Sequence, residues 1–303
     1  MPWYDDFDRE AASRFPGLTV LREEPMAGHT TFRLGGPARR MACPDSAEAM
    51  AALLDLAEER GWPWLAVGNG SNLLVSDRGV DRLVLHTGGL EQVERTGERT
   101  IRAGAGLSLA RLAVFAQRNS LAGLAFAHGI PGSLGGAVCM NAGAYGGEMS
   151  QIVSAVEAWF PGRGLRRLSS EELDFGYRHS LFSDHPGVVL AAELTLSPGD
   201  GAEIKAQMEE LIRRRREKQP LEYPSAGSTF KRPEGHFAGA LIEQCGLKGA
   251  AVGGAQVSEK HAGFVLNAGG ATCADVLGLI RRIQDTVFAQ TGVRLEPEVR
   301  VME

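Results

Sequence analysis

Three short polar stretches carry residue types that can do chemistry. In Tyr177-Arg178-His179-Ser180 an arginine lies among aromatic residues. Its guanidinium can grip a carboxylate, or negative charge that develops during a reaction, by bidentate hydrogen bonding; a structural salt bridge is the alternative. In Ser225-Ala226-Gly227-Ser228-Thr229-Phe230-Lys231 hydroxyls sit on a turn beside glycine. No G-x-S-x-G elbow is present and no histidine follows closely enough to activate a nucleophile, so proton donation by Ser228 fits better than acyl transfer. A plain turn serine fits as well. The third stretch is Glu296-Pro297-Glu298-Val299-Arg300, in which one carboxylate can pair with the arginine and the other can serve acid–base chemistry. Its bland counterpart is an exposed edge strand.

Two glycine-rich segments have a different use. Between Asn119 and Gly147 there is no Asp, Glu, Lys or Arg, and glycine fills eight of the twenty-five positions from 123 to 147, where average usage puts about two. A membrane span is excluded by chemistry: Pro131, Asn141, His128, Ser133 and clustered glycines leave backbone groups that lipid cannot satisfy. Such a run instead brings bare N–H groups close to a ligand. The expectation is a buried, anionic, cofactor-sized molecule. Gly68-Asn69-Gly70-Ser71-Asn72 is also suited to an anion, because consecutive free amides can converge on a phosphate. It lacks the third glycine of the dinucleotide fingerprint, and Leu73-Leu74-Val75 reads as a strand, not a helix opening.

The elements that must position these groups are legible from spacing and caps. Asp5–Phe15 suits a short helix. Ser46 caps a helix running through Arg60, with Met50, Leu53, Leu54, Leu56 and Ala57 on its apolar face and Gly61 ending it. Trp64–Val67 reads as a strand leading into the Gly68 turn. Short strands are expected at 82–86, 92–93 and 100–103, a helix over Leu107–Gln117, and strands at 152–159, 165–168 and 188–196. Ser197-Pro-Gly-Asp-Gly201 marks a domain boundary. Beyond it come a helix over Glu203–Lys218, a small α+β region, a helix near 274–290 and a last strand over Arg294–Val301 with Glu296 and Glu298 on one side.

Length and composition set the class. The chain has 303 residues, 44% hydrophobic and 23% charged, with 37 acids against 32 bases for a net charge of −5. That suits a soluble protein of two or three domains and disfavours nucleic-acid binding. Four consecutive arginines, Arg213 to Arg216, read as the solvated end of a helix. The first residues, MPWYDDFDRE, lack the basic and apolar regions of a secretory signal. Cys43, Cys139, Cys245 and Cys273 form no C-x-x-C pair, so a reduced cytoplasmic protein without structural metal is expected.

Taken together, TTFRLGGPA, VGNGSNLLVSD, GIPGSLGGAVCMNAGAYGGE, FGYRHSLF, PSAGSTFKRP, GLKGAAVGGAQVSEKHAGFVLN and LEPEVR, in this order from about residue 29 onward, resemble the UDP-N-acetylenolpyruvoylglucosamine reductase family. The short passage from GAYGGE to FGYRHS and on to PSAGS resembles the family's shorter type, which lacks a substrate-covering tyrosine loop. The resemblance implies an α+β fold: an FAD-binding module of the vanillyl-alcohol-oxidase type in two subdomains, plus a C-terminal α+β substrate-binding domain. The implied boundaries are 1–87, rejoined by 292–303, then 88–204, then 205–291.

It further implies non-covalent FAD held by Arg33, Gly68, Asn69, Gly70, Ser71, Asn72 and Leu73, and by Ile130, Pro131, Gly132, Ser133, Gly135, Gly136, Ala137, Asn141, Gly143, Ala144 and Gly147. NADPH is the implied co-substrate, and a monomer with a UDP-sugar substrate and no nucleic-acid or membrane partner is expected. The reaction the resemblance implies passes two electrons from NADPH to the flavin and then, as hydride, to C3 of the enolpyruvyl ether. Ser228 is the implied proton donor to C2, and Arg178 and Glu298 the groups that stabilise and polarise the anionic intermediate. Lys218, Arg232, Lys248 and His261 are implied to bind the UDP-sugar. Two positions depart from the family: His29 and Arg232 each stand where asparagine is frequent. Another flavin oxidoreductase of the same fold, or a silent nucleotide-binding protein, is the competing reading. The cationic PSAGSTFKRP and LKG motifs oppose the former, and retention of Arg178, Ser228 and Glu298 opposes the latter.

Overall fold

In a computed structural model, which describes residues 2–302, the chain forms two compact units, each assembled from separated stretches. The first takes the chain through Arg22, then Arg40–Asn69 and Arg82–Arg214; the second takes Glu23–Arg39, Gly70–Asp81 and the chain from Arg215. Both mix helices with sheets, as the α+β expectation requires.

The first unit holds most of two sheets over one apolar core. The helix Ala47–Arg60 begins where Ser46 Oγ accepts the Ala49 N–H and ends at Gly61, whose φ of +67° suits a residue without Cβ. Its Leu53, Leu54 and Ala57 are fully buried. Strand Trp64–Val67 runs parallel to Val80–His86 in a sheet of order Thr19–Pro25, Pro37–Cys43, Val80–His86, Trp64–Val67. The second sheet has the order Gly164–Ser169, Val153–Phe160, Val188–Thr195, Thr100–Gly104, Val93–Arg95, and the short helix Leu134–Cys139 packs on its middle strand. Trp159 anchors the core, and its indole N–H donates to Asp55 at 2.6 Å. Buried Arg40 is compensated by a two-pronged bond to Asp8 at 2.8 and 2.9 Å, as a buried charge must be.

Within the second unit, a three-stranded sheet of order Ala251–Val252, Ala255–Val257, Val265–Asn267 packs on the helix Cys273–Thr291, which also meets the helix Ala238–Gln244. The expected strand over Arg294–Val301 is a correction: only Arg300–Met302 is a strand, parallel to Leu73–Val75. Pro297 has no N–H to give to a ladder. Residues 296–298 bridge instead to the loop of Phe230, with Lys231 N–H donating to Glu296 O at 2.9 Å and Glu298 N–H to Thr229 O at 2.8 Å.

The helix Gly201–Lys218 carries the arginine run. Arg213 and Arg214 bond Glu210, which lowers its carboxyl pKa to about 2, so part of the basic run is neutralised on its own helix. No helix among the described residues is long and apolar enough to cross a membrane.

Asp77 tests how the second unit is held. Its carboxylate accepts the Cys273 and Ala274 N–H groups at 2.7 and 3.1 Å, at the start of a nineteen-residue helix. Asp77→Ala should cost about 1–2 kcal/mol of stability, the worth of a cap plus its charge on the helix end. A urea midpoint unchanged from that of the unmodified protein would show the bond to be dispensable.

Candidate active site

In the first unit the two glycine-rich segments meet. A Cβ on Gly68, at the end of strand Trp64–Val67, would collide with Ser133 Oγ. Only glycine therefore lets the turn reach the segment that follows Pro131. That segment is laced to the chain before helix Leu109–Arg118: Gly132 O accepts from Leu109 N–H at 3.0 Å, Leu134 N–H donates to Leu107 O at 2.9 Å, and Gly135 N–H donates to Ala105 O at 2.8 Å. Ser133 is buried. Ile130 is tied back by Gly132 N–H to its carbonyl at 2.9 Å, while Pro131 and Asn69 are exposed.

Gly135 and Gly136 differ in kind. A Cβ on Gly135 would lie 2.9 Å from Ala105 Cβ, whereas on exposed Gly136 it would meet only Ser133 Oγ, at 3.7 Å. Gly135 is thus needed for packing, and Gly136 leaves open space beside a backbone able to approach a ligand. The absence of any charged side chain from Ser120 to Tyr145 leaves no acid to repel a phosphate-bearing cofactor. These features fit a dinucleotide cofactor.

Gly143–Ala144 pairs with Gly147–Glu148 in a tight hairpin whose corner residues, Tyr145 and Gly146, have φ of +54° and +85°. Gly143 and Gly147 are needed for this hairpin: a Cβ at 143 would fall 2.8 Å from Gly147 O, and one at 147 would fall 2.5 Å from the Phe126 ring. Ala137 is buried. Asn141 is not an open ligand. It is buried, donating to Gly176 O and accepting from Ser150 N–H, each at 2.9 Å, so it braces the loops around the segment.

That brace leads to Arg178. Gly176 and His179 exchange two backbone hydrogen bonds at 3.1 and 3.2 Å, Ser180 Oγ donates to Cys139 O at 2.8 Å, and Arg178 sits at the corner with φ +54°. Its Nη2 donates to Gly143 O at 3.2 Å, and its guanidinium lies 5.2 Å from the Tyr177 ring centre. Arg178 and the cofactor-segment hairpin are thereby brought together. Sequence reasoning gave a role to Arg178 and none to its neighbour His179, because no sequence spacing signals its partners Asp174 and Asp184.

The second unit carries the rest. Gly70, at φ +57°, would collide with His29 O if it bore a Cβ. Its carbonyl accepts from Thr31 and Leu73 N–H groups at 3.4 Å. Ser71 and Leu73 are partly exposed. Arg33 is exposed with φ +53°, and Asn267 holds its stretch by donating to Phe32 O at 3.2 Å. His29, one of the two departures, pairs with Glu24 at 2.8 Å.

Asn72 ties this turn to the candidate chemistry, because its side chain donates to Glu298 O at 2.9 Å. Glu298 N–H in turn donates to Thr229 O, next to Ser228. The serine turn is fixed on both sides: Thr31 Oγ1 donates to Ser225 O at 2.7 Å, Thr229 N–H donates to Gly263 O at 2.9 Å, and buried Thr229 Oγ1 accepts from Val265 N–H at 3.0 Å. Gly227 supplies the turn with φ +77°, and Ser228 itself is exposed. An exposed hydroxyl on so constrained a backbone can hold a proton at a defined place.

The cations expected to bind a sugar nucleotide are each placed. Lys218 is exposed at the end of its helix. Lys248 bonds Glu243 at 2.6 Å, and the Arg232 guanidinium lies 4.0 Å from the Phe237 ring centre. His261 differs from them. Burial holds its pKa below the ordinary histidine value, and its Nδ1 accepts from Gly263 N–H at 3.2 Å. The neutral ring then carries its proton on Nε2, a donor rather than a cation.

Residues 219–302 match the model of the UDP-N-acetylenolpyruvoylglucosamine reductase C-terminal domain, and residues 38–168 that of an FAD binding domain. A UDP-N-acetylenolpyruvoylglucosamine reductase from Agathobacter rectalis is 49% identical, over 98% of this chain and 98% of its own. The crystal structure of the Thermus caldophilus enzyme of that name is similar with a TM-score of 0.81 at 36% identity, covering 94% of this chain and 99% of that one. An alkyldihydroxyacetonephosphate synthase structure is similar at TM-score 0.50 and 18% identity, over 64% of this chain and 44% of its own, a likeness of fold alone.

Proposed function

Since this chain belongs to the UDP-N-acetylenolpyruvoylglucosamine reductase family and is an FAD-dependent oxidoreductase, we propose that it reduces UDP-N-acetylenolpyruvoylglucosamine to UDP-N-acetylmuramate with NADPH. The product is a peptidoglycan precursor, and the protein works as a cytoplasmic monomer with non-covalently held FAD. The flavin module is assigned to residues 1–204 with 292–303, and the sugar nucleotide to residues 205–291. When bound, FAD supplies a two-electron relay between NADPH and the enolpyruvyl group.

Gly68, Ile130–Gly136, Gly70–Leu73 and Arg33 are the groups we assign to the cofactor, with Arg33 supplying a cation for its phosphates. Once C3 of the enol ether has gained its hydrogen, negative charge builds at C2 and in the carboxylate. Ser228 donates the proton to C2, and Glu298 hydrogen-bonds the carboxylate as a neutral acid. Arg178 offers its guanidinium to the same charge. Lys218, Lys248 and Arg232 suit the diphosphate, and neutral His261 donates from Nε2 to a sugar or carboxylate oxygen.

One arrangement carries the reading: an exposed Ser228 on a turn locked at both ends, with Glu298 bonded to the very next carbonyl. The test is anaerobic. NADPH should bleach the visible flavin absorption, and the UDP-sugar added afterwards should restore it. A bleached flavin that the enolpyruvyl sugar leaves unchanged would overturn the proposal.

A further inference from the structure

An arginine at φ +54° occupies a left-handed conformation that side chains with Cβ rarely adopt, so the surrounding loop must hold it there. Asp174, four residues earlier, is left-handed too, at φ +45°. His179 reaches both ends of this loop. Its Nδ1 lies 3.0 Å from the Asp174 backbone oxygen, and its Nε2 lies 2.9 Å from Asp184 Oδ2.

Both partners can only accept. A neutral imidazole has one N–H, so one nitrogen would face an acceptor with its lone pair; the imidazolium, with two N–H groups, satisfies both. Charge favours the same form. The Asp174 and Asp184 carboxylates are the charged groups facing the ring, with ligand atoms of all three side chains within 4.8 Å of one another.

We propose that His179 is a positioning residue for Arg178: as an imidazolium it clasps Asp174 to Asp184, closes the loop between them, and keeps the arginine at its left-handed corner beside Gly143. The inference rests on the proposed role of Arg178 toward the substrate's negative charge. The bond to Asp184, then that to the Asp174 carbonyl, raises the His179 pKa above the ordinary histidine value. For a group with a raised pKa, the clasp is complete below the ordinary histidine range and is released as pH rises through the raised value. The step that uses the sugar should therefore lose rate as pH rises through that raised value.

The experiment is a pair of anaerobic half-reactions on the holoenzyme across pH, with NADPH first and the enolpyruvyl UDP-sugar second. His179→Gln keeps the bulk but donates from one nitrogen position only. Below the ordinary histidine range, where the clasp is complete, it should slow flavin reoxidation by the sugar about tenfold, a misplacement effect, leave reduction by NADPH unchanged, and abolish the high-pH limb of the unmodified enzyme. Arg178→Lys in the same assay separates the two ideas. If it slows reoxidation while His179→Gln keeps both the rate and the limb, the clasp is wrong and the role of Arg178 stands; if Arg178→Lys changes nothing, that role fails and the clasp falls with it. An NMR titration of His179 in the unmodified holoenzyme needs no variant. A pKa at or below that of free histidine would overturn the proposal.

Discussion

Ser228→Ala should lower reoxidation of the reduced flavin by the enolpyruvyl UDP-sugar by about 10²–10⁴-fold, the range for loss of a placed proton donor. Reduction of the same flavin by NADPH should continue at nearly its original rate. The separation is expected because the hydroxyl is the only group removed. The bonds that hold this turn belong to Thr31, Thr229 and Glu298, and the exposed alanine disturbs none of them. Stability should therefore change little, which a urea titration would check. Turnover close to that of the unmodified enzyme would mean that another group delivers the proton, with Glu298 the first to be examined.

The second large effect concerns two adjacent glycines. Gly136→Leu should give a folded but nearly colourless protein, with FAD affinity down roughly 100-fold, or about 2.7 kcal/mol. Outside its own helix, a Cβ at this position meets nothing nearer than Ser133 Oγ at 3.7 Å. Gly135→Leu should act through folding instead, costing about 1–3 kcal/mol by overpacking, because its Cβ would press on Ala105 at 2.9 Å. Equal FAD retention in Gly136→Leu and the unmodified protein would place the cofactor elsewhere.

Local signals were legible where a cap and an apolar spacing agreed. Ser46, the leucines and Gly61 defined one helix, and the observed Ala47–Arg60 follows them. The helix expected over Leu107–Gln117 from spacing alone runs from Leu109 to Arg118. The last strand was overextended because Glu-Pro-Glu-Val alternates like a strand, while its partner is the loop at 229–231, some seventy residues away. Glycines were legible as a class but not in their separate roles: Gly147 faces Phe126, Gly135 faces Ala105, and Gly136 faces open space. Asn141, a conspicuous polar residue in an uncharged run, is occupied by Gly176 and Ser150. No pattern within the run discloses such distant partners.

The parallel pairing of Arg300–Met302 with Leu73–Val75 joins residues 227 positions apart. The second unit also draws on 23–39 and 70–81 as well as on the chain from 215. During synthesis at about 5–20 residues per second, those two early segments leave the ribosome tens of seconds at most, and ten at least, before the strand that pairs with one of them. Apolar side chains such as Phe32, Leu34 and Leu74 share the second core with residues from Ala226 onward, so they stay without those partners until that later chain emerges. A nascent chain stalled short of Ala226 should thus remain sensitive to protease between 23 and 39, and recruitment of chaperones to this protein should fall away as the chain from 226 onward emerges.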